Sequence, residues 1–198
     1  MKIIRHRVNI SKDLLKIPHE YGVEIDLRWS HDLGIYLSHD PNSPGEAFRD
    51  WIQSYRHGTL ILNVKEDGLE QEILELLNSF SISDFFFLDQ PTPTLIKCIK
   101  NQVPTAIRIS EYEDYPNSLP GTPEWLWADS FTGSWKHLTK NLETAANSDT
   151  KICIVSPELQ GRNVTVELNE IKSILGNFWD ADFVSVCTKN PENWLRYE

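Results

Sequence analysis

The sequence contains few cysteines and few basic residues, and it has no long apolar run. Its three cysteines, Cys98, Cys153 and Cys187, are odd in number and show no Cys-x-x-Cys spacing. Two of them, Cys153 and Cys187, lie inside apolar segments typical of strands. This pattern favours buried, reduced thiols in a reducing compartment over a disulfide framework.

The lack of a long apolar run bears on membrane association. No apolar run approaches the roughly 18 residues of a membrane-spanning helix. Met1 is followed directly by the first apolar segment, which leaves no room for a signal peptide. We therefore expect a soluble, cytoplasmic protein with no stable membrane association.

The shortage of basic residues gives the chain a strong negative charge. Asp and Glu number 29 against 19 Lys and Arg, for a formal net charge of −10. An acidic surface repels nucleic acid and anionic lipid, so we expect no nucleic-acid partner. Any phosphate contact has to come from a local group of basic side chains.

Short apolar runs alternate with amphipathic segments along all 198 residues. No linker divides the chain, so we predict one domain over residues 1–198. About eight strand–helix repeats predict a parallel sheet covered by helices. This α/β pattern favours a single compact (β/α)8 barrel of the TIM type over an open doubly wound sheet. We also predict helices over 11–21, with Ser11 as N-cap, and over 45–57, and a hairpin turn at His31–Gly34.

Two carboxylates lie two residues apart in the predicted second strand. Side chains alternate along a strand, so Glu24 and Asp26 point to the same side. His6 lies near the end of the first apolar run, and His39 follows another short run. Such a set can combine metal binding with acid–base chemistry.

These residues carry a resemblance to a known family. The segments HRVN and VEIDLRWSHDLGIYLSHD resemble the amino-terminal signature of the glycerophosphodiester phosphodiesterases, which has H-R, then E-x-D, then a strand ending in H-D. Lys65, at the end of the strand TLILNVK, matches the lysine of that family's E-x-K motif. Asn63 departs from the motif, because the family has a metal-binding Glu there.

The resemblance implies a barrel fold and a role for each matching residue. Glu24 and Asp26, with Asn63 as the third ligand, would bind Ca²⁺ or Mg²⁺, and Asp89 is a weaker candidate that could compensate for Asn63. His6 and His39 would supply the general acid and the general base, and the sequence does not show which histidine has which role. The substrate phosphate would be contacted by Arg7 and Lys65.

From this resemblance we predict a metal-dependent phosphodiesterase that cleaves a small glycerophosphodiester-like substrate by His/His acid–base catalysis. The alternative hypothesis is a barrel that has lost the reaction and binds a phosphorylated sugar or lipid headgroup. Asn63 and the short segment after His39 and Asp40 motivate this alternative. A third possibility is phosphate elimination, which would leave a cyclic phosphate as the end product.

Overall fold

The computed structural model describes residues 1–116 and 118–195, which fold into ten strands, seven α-helices and three short 3₁₀ segments. The strands are β1 (Lys2–Arg5), β2 (Gly22–Ser30), β3 (Gly34–Leu37), β4 (Glu46–Ala47), β5 (Leu60–Val64), β6 (Phe85–Leu88), β7 (Ala106–Ile109), β8 (Trp125–Ala128), β9 (Lys151–Val155) and β10 (Val184–Thr188). The helices are α1 (Ser11–Leu14), α2 (Phe48–Trp51), α3 (Glu70–Ser79), α4 (Thr92–Lys100), α5 (Lys136–Ala146), α6 (Val164–Leu175) and α7 (Glu192–Leu195).

All strands belong to one mixed sheet, and eight of them are parallel. β2 pairs with β1 and β5, β5 pairs with β6, and β1, β10, β9, β8 and β7 pair in that order. Between β6 and β7 the described residues form a single bridge, from Phe87 to Thr105, in place of a ladder. The predicted α/β architecture with a parallel sheet is therefore confirmed, and β3 and β4 add an antiparallel extension beside β2.

Three apolar clusters explain how this sheet is stabilised. Along every parallel strand except β2, residues of two clusters that pack with the helices alternate with residues of a third cluster. On β5, for example, Leu60 and Leu62 belong to a helix-side cluster and Ile61 to the third. Burial on both faces matches the nearly continuous apolar composition of the strands. All three cysteines are buried and unpaired, as predicted.

Two predicted helices are much shorter than expected. α1 ends at Leu14 because Pro18 disfavours helical geometry at the residue before it. Ser11 is its first helical residue and not its N-cap, since the Ser11 hydroxyl donates to Glu46. The predicted helix over 45–57 begins as strand β4, because Ala47 pairs with Tyr36 of β3. The predicted hairpin turn is present, with Gly34 at a φ of 65°.

Candidate active site at the carboxyl ends of the first strands

The two predicted carboxylates lie on one face of β2. Val23, Ile25 and Leu27 pack toward the helices, so Glu24 and Asp26 face the third cluster. Both are almost completely buried, at 1% and 0% exposure. Buried carboxylates need hydrogen-bond donors or cations, and the chain supplies both from β1, β5 and the segments that follow them. We refer to the set formed by His6, Arg7, Asn9, Glu24, Asp26, Asn63 and Lys65 as the Asp26 cluster.

Glu24 contacts three of its neighbours. Its Oε2 accepts a 2.7 Å hydrogen bond from the backbone N–H of Arg7, and its Oε1 accepts a 3.1 Å bond from Nδ2 of Asn63. Nε2 of His6 lies 3.8 Å from Oε2. Burial and the neighbouring charge of Asp26 raise the pKa of Glu24 to about 7. The carboxyl therefore changes its protonation near neutral pH.

Asp26 is held by two cations and an amide. Lys65 Nζ lies 3.2 Å from Oδ1, and Arg7 Nε lies 3.4 Å from Oδ2. Asn9 donates its Nδ2 to Oδ2 at 2.9 Å and accepts the Asp26 backbone N–H at 2.9 Å. The sequence places Arg7 and Lys65 near this site, but it gives no sign that Asn9 bends back onto β2.

His6 is buried and neutral in this setting. Burial lowers its pKa to about 3, and the charges of Arg7 and Lys189 act in the same direction. Its backbone N–H donates to the carbonyl of Thr188 on β10, which fixes the end of β1. Among the described residues, its Nδ1 has no hydrogen-bond partner, and the same holds for Oδ1 of Asn63. Oδ1 of Asp26, which forms an ion pair with Lys65, also accepts no hydrogen bond. Buried polar atoms are rarely left unpaired, so these three atoms point to a place for a ligand.

The backbone at Arg7 adopts a conformation that non-glycine residues seldom take. Its φ is 54°, in the left-handed region. Through this turn the Arg7 N–H reaches Glu24, and the next N–H, from Val8, donates to the Glu24 carbonyl at 2.8 Å. Strain of this kind persists where surrounding contacts hold it, and it clusters at functional sites.

His39 lies at the rim of the site. The N–H of Ser38 donates to the Asp26 carbonyl at 3.1 Å, which fixes the end of β3 beside Asp26. The His39 Nδ1 bonds Asp40 at 2.7 Å, and its side chain is 41% exposed. The hydrogen bond from His39 and the positive charge of Arg7 lower the pKa of Asp40. The structure thus brings His39 near the cluster, while its ring contacts Asp40 and not the buried carboxylates.

Asp89, the weaker metal candidate, belongs to a second set of charged residues. It forms an ion pair with Arg108, which also contacts Asp129 and, at 3.9 Å, Glu113. Gln160 donates to both carboxylate oxygens of Asp129 at 3.1 Å. Burial raises the pKa of Asp129, although Arg108 opposes this effect. We refer to Asp89, Arg108, Glu113, Asp129 and Gln160 as the Arg108 cluster.

The expected divalent cation can be tested against these contacts. The two carboxylates and the amide oxygen are suitable ligand types for Ca²⁺ or Mg²⁺. However, each of the four oxygens of Glu24 and Asp26 already lies within 3.2 Å of a nitrogen. A divalent ion about 4 Å from the Lys65 ammonium would add repulsion of about 8 kcal/mol at an effective dielectric constant of about 20. As they are arranged, these residues do not fit such an ion.

Within 1–116 and 118–195, no group of three or more His, Cys, Asp or Glu side chains is placed to hold a metal ion. Ca²⁺ or Mg²⁺ binding by Glu24, Asp26 and Asn63 stays a prediction for direct measurement. Separately, none of the helices in the described part of the chain is long and apolar enough to cross a bilayer.

Comparison with known proteins gives a structural likeness only. No protein-family model matches the sequence, and no curated protein matches it significantly. A crystal structure of a glycerophosphodiester phosphodiesterase from Agrobacterium tumefaciens aligns over 99% of both chains, with a TM-score of 0.66 and 13% identity. A glycerophosphoryl diester phosphodiesterase from Parabacteroides distasonis aligns over 98% of this chain and 85% of its own, with a TM-score of 0.57 and 12% identity. The chain therefore shares the fold of solved glycerophosphodiester phosphodiesterases.

Proposed function

We propose that the chain is a phosphoric diester hydrolase that cleaves a small glycerophosphodiester-like substrate. The observation that carries this proposal is the Asp26 cluster, where a buried neutral histidine lies beside two cations at the carboxyl ends of parallel strands. Two solved structures that share the fold are phosphodiesterases, which supports the same reaction class. We further propose that the sheet closes as a (β/α)8 barrel through the bridge between Phe87 and Thr105.

Arg7 and Lys65 bind the phosphate group in this proposal. Arg7 is 38% exposed and Lys65 18% exposed, whereas both carboxylates lie buried behind them. An anion that approaches from solvent meets the two cations first. A guanidinium can hold two phosphate oxygens at once, and an ammonium acts as a point charge. This local positive group works against the net charge of −10 of the whole chain.

His6 and His39 move protons in this proposal. Neutral His6 can accept a proton, and a bound phosphate would raise its low pKa because the opposite charge favours imidazolium. The hydrogen bond that His39 donates to Asp40 fixes its ring, which orients a histidine for proton transfer. One histidine takes a proton from the attacking hydroxyl or water, and the other protonates the leaving oxygen.

The test is turnover of a panel of glycerophosphodiesters followed by phosphorus NMR, in EDTA, in Ca²⁺ and in Mg²⁺. We expect His6→Gln and His39→Gln each to lose about 10²- to 10⁴-fold in rate. The control is His57→Gln, because His57 precedes β5 at the opposite edge of the sheet and bonds the Ile17 carbonyl. Full activity in both site variants would contradict the proposed roles.

The same experiment decides between the proposal and the alternative hypothesis. Wild-type protein that binds inorganic phosphate but turns over no diester in any metal condition would favour a barrel that binds a phosphorylated sugar or lipid headgroup. Accumulation of a cyclic phosphate would indicate elimination without hydrolysis. Release of a phosphomonoester and an alcohol supports the hydrolase.

A further inference from the structure

We propose that Lys65 and Arg7 take the place of a divalent metal ion, so that the chain binds its phosphate ligand without Ca²⁺ or Mg²⁺. This inference rests on the proposed function only in assuming that the ligand carries a phosphate. It departs from the metal site that the resemblance implies. Three observations within the Asp26 cluster carry it.

The first observation is the occupancy of the carboxylates. Glu24 accepts hydrogen bonds on both oxygens, from Arg7 N–H at 2.7 Å and from Asn63 Nδ2 at 3.1 Å. Asp26 contacts Lys65 through one oxygen and Asn9 through the other, at 3.2 Å and 2.9 Å. A metal site needs carboxylate oxygens that point at a common empty position. In this chain the same oxygens already contact nitrogen atoms of neighbouring residues.

The second observation is the balance of charge. Two buried carboxylates, Glu24 and Asp26, face two cations, Arg7 and Lys65. The two cations equal the largest negative charge that the two carboxylates can carry, so a doubly charged ion would leave an excess of positive charge in a buried place. An incoming phosphate meets Arg7 and Lys65, and the carboxylates act as positioning residues that hold those cations.

The third observation concerns Asn63. It occupies the strand position level with Asp26 in the pairing of β2 and β5, and it turns an amide N–H toward Glu24. A divalent ion would be held more strongly by a carboxylate at this position, because an amide carries no negative charge. The amide is a donor to Glu24, and its own oxygen has no partner among the described residues. Asn63 therefore replaces a charge that a metal would need with a group that stabilises the buried Glu24.

The first experiment measures binding of inorganic phosphate by calorimetry to wild-type protein stripped of metal in excess EDTA, and again with Ca²⁺ or Mg²⁺. We expect phosphate to bind in EDTA with an affinity that neither metal changes by more than about twofold. Lys65→Met should weaken phosphate binding by about tenfold or more, since a charge-assisted hydrogen bond to the phosphate is lost. Lys65→Arg, which keeps the charge, should retain most of it and serves as the matched control.

The second experiment attempts to create the missing metal site. The double variant Asn63→Glu, Lys65→Met adds a third carboxylate and removes the ammonium, and we expect it to bind Ca²⁺ in calorimetry when the wild type does not. The single variant Asn63→Glu keeps Lys65 and should bind Ca²⁺ more weakly than the double variant. Circular dichroism confirms that each variant is folded before titration.

Two results would overturn the inference. One is phosphate binding that is absent in EDTA and appears with Ca²⁺ or Mg²⁺. The other is wild-type binding of either metal that Glu24→Gln abolishes. Turnover separates this inference from the proposed function. Turnover that depends on a metal would support the function and reject the inference. Phosphate binding in EDTA that depends on Lys65, without any turnover, would support the inference and reject the function.

Discussion

The two charged clusters at the carboxyl ends of the strands contain similar residues but differ in how their polar groups are satisfied. In the Arg108 cluster, one cation contacts three carboxylates, from Asp89, Asp129 and Glu113. In the Asp26 cluster, two cations contact the Asp26 carboxylate, and three buried polar atoms, His6 Nδ1, Asn63 Oδ1 and Asp26 Oδ1, have no hydrogen-bond partner among the described residues.

This difference is why we propose that the Asp26 cluster binds the ligand and that the Arg108 cluster is a structural network. The charge of Arg108 is neutralised within its own cluster, so little of it remains for an anion. Arg7 and Lys65 both pair with Asp26, which also accepts a hydrogen bond from Asn9, and both cations are partly exposed. Unpaired buried atoms and perturbed pKa values together are typical of functional sites.

We expect the largest effect on stability from substitution of Arg108. Replacement by Met leaves Asp129, which is 2% exposed, and its neighbour Asp89 without their cation. Removal of one partner from a buried ion pair costs about 3 kcal/mol. We expect Arg108→Met to lower the free energy of unfolding by about that amount, measured by urea denaturation.

A surface pair provides the control for this prediction. Lys140 contacts Asp114 at 3.3 Å, and both side chains are exposed, so Lys140→Met should change stability by less than about 0.5 kcal/mol. Equal losses in the two variants would mean that Arg108 is not a structural centre. Turnover lost in a folded Arg108→Met protein would move the functional site toward the second cluster.

A smaller effect is predicted for the stability of the Asp26 cluster in acid. The pKa of His6 is lowered from 6.5 to about 3, so its contribution to stability is present above pH 6.5 and is lost as the pH falls toward 3. In this range the unfolded chain binds a proton that the folded chain does not. His6→Gln removes this effect of histidine protonation on stability. As the pH falls from ~7 to ~5, the free energy of unfolding of the wild type should therefore drop by about 2 kcal/mol relative to that of the variant.

Urea denaturation of both proteins at several pH values checks this prediction. Stability curves that stay parallel from pH ~7 to pH ~5 would show that His6 is solvated and protonated in the folded protein. They would also weaken its assignment as a buried neutral group in catalysis.

Much of the fold could be predicted from the sequence because its strands are short, apolar and evenly spaced. The order of strands and helices, the hairpin and the parallel sheet follow from local patterns. The length of α2 does not, since it depends on β4, which pairs with β3 through only two residues. Pairing that short leaves no periodic pattern to detect.

The sequence predicts most of the residues that form the candidate site, but it does not predict their side-chain contacts. Alternation along β2 places Glu24 and Asp26 together, and the register of parallel strands brings Asn63 level with Asp26. The direct ion pair of Lys65 with Asp26 depends on side-chain torsions, which sequence patterns do not report. The orientation of His39 toward Asp40 and the partners of Asn9 depend on loop geometry in the same way.

The smallest predicted effect tests the coupling between the two buried carboxylates. Burial and the charge of Asp26 raise the pKa of Glu24 to about 7. Asp26→Asn removes that charge and frees Lys65 to act on Glu24, so we expect the pKa of Glu24 to fall by about 1. Carbon-13 NMR titration of labelled glutamate measures it directly, with Asp13→Asn on exposed α1 as a control that leaves it unchanged.

The sign of the matching stability change follows from the same shift. A carboxyl whose pKa is raised on folding stabilises the protein below its unfolded value of 4.5, and this stabilisation is lost as the pH rises through about 7. In the Asp26→Asn variant this stabilisation should be smaller than in the wild type, and it should be lost at a lower pH. An unchanged Glu24 titration in a folded variant would show that the carboxylates do not interact, and the charge balance on which metal-free phosphate binding depends would have to be abandoned.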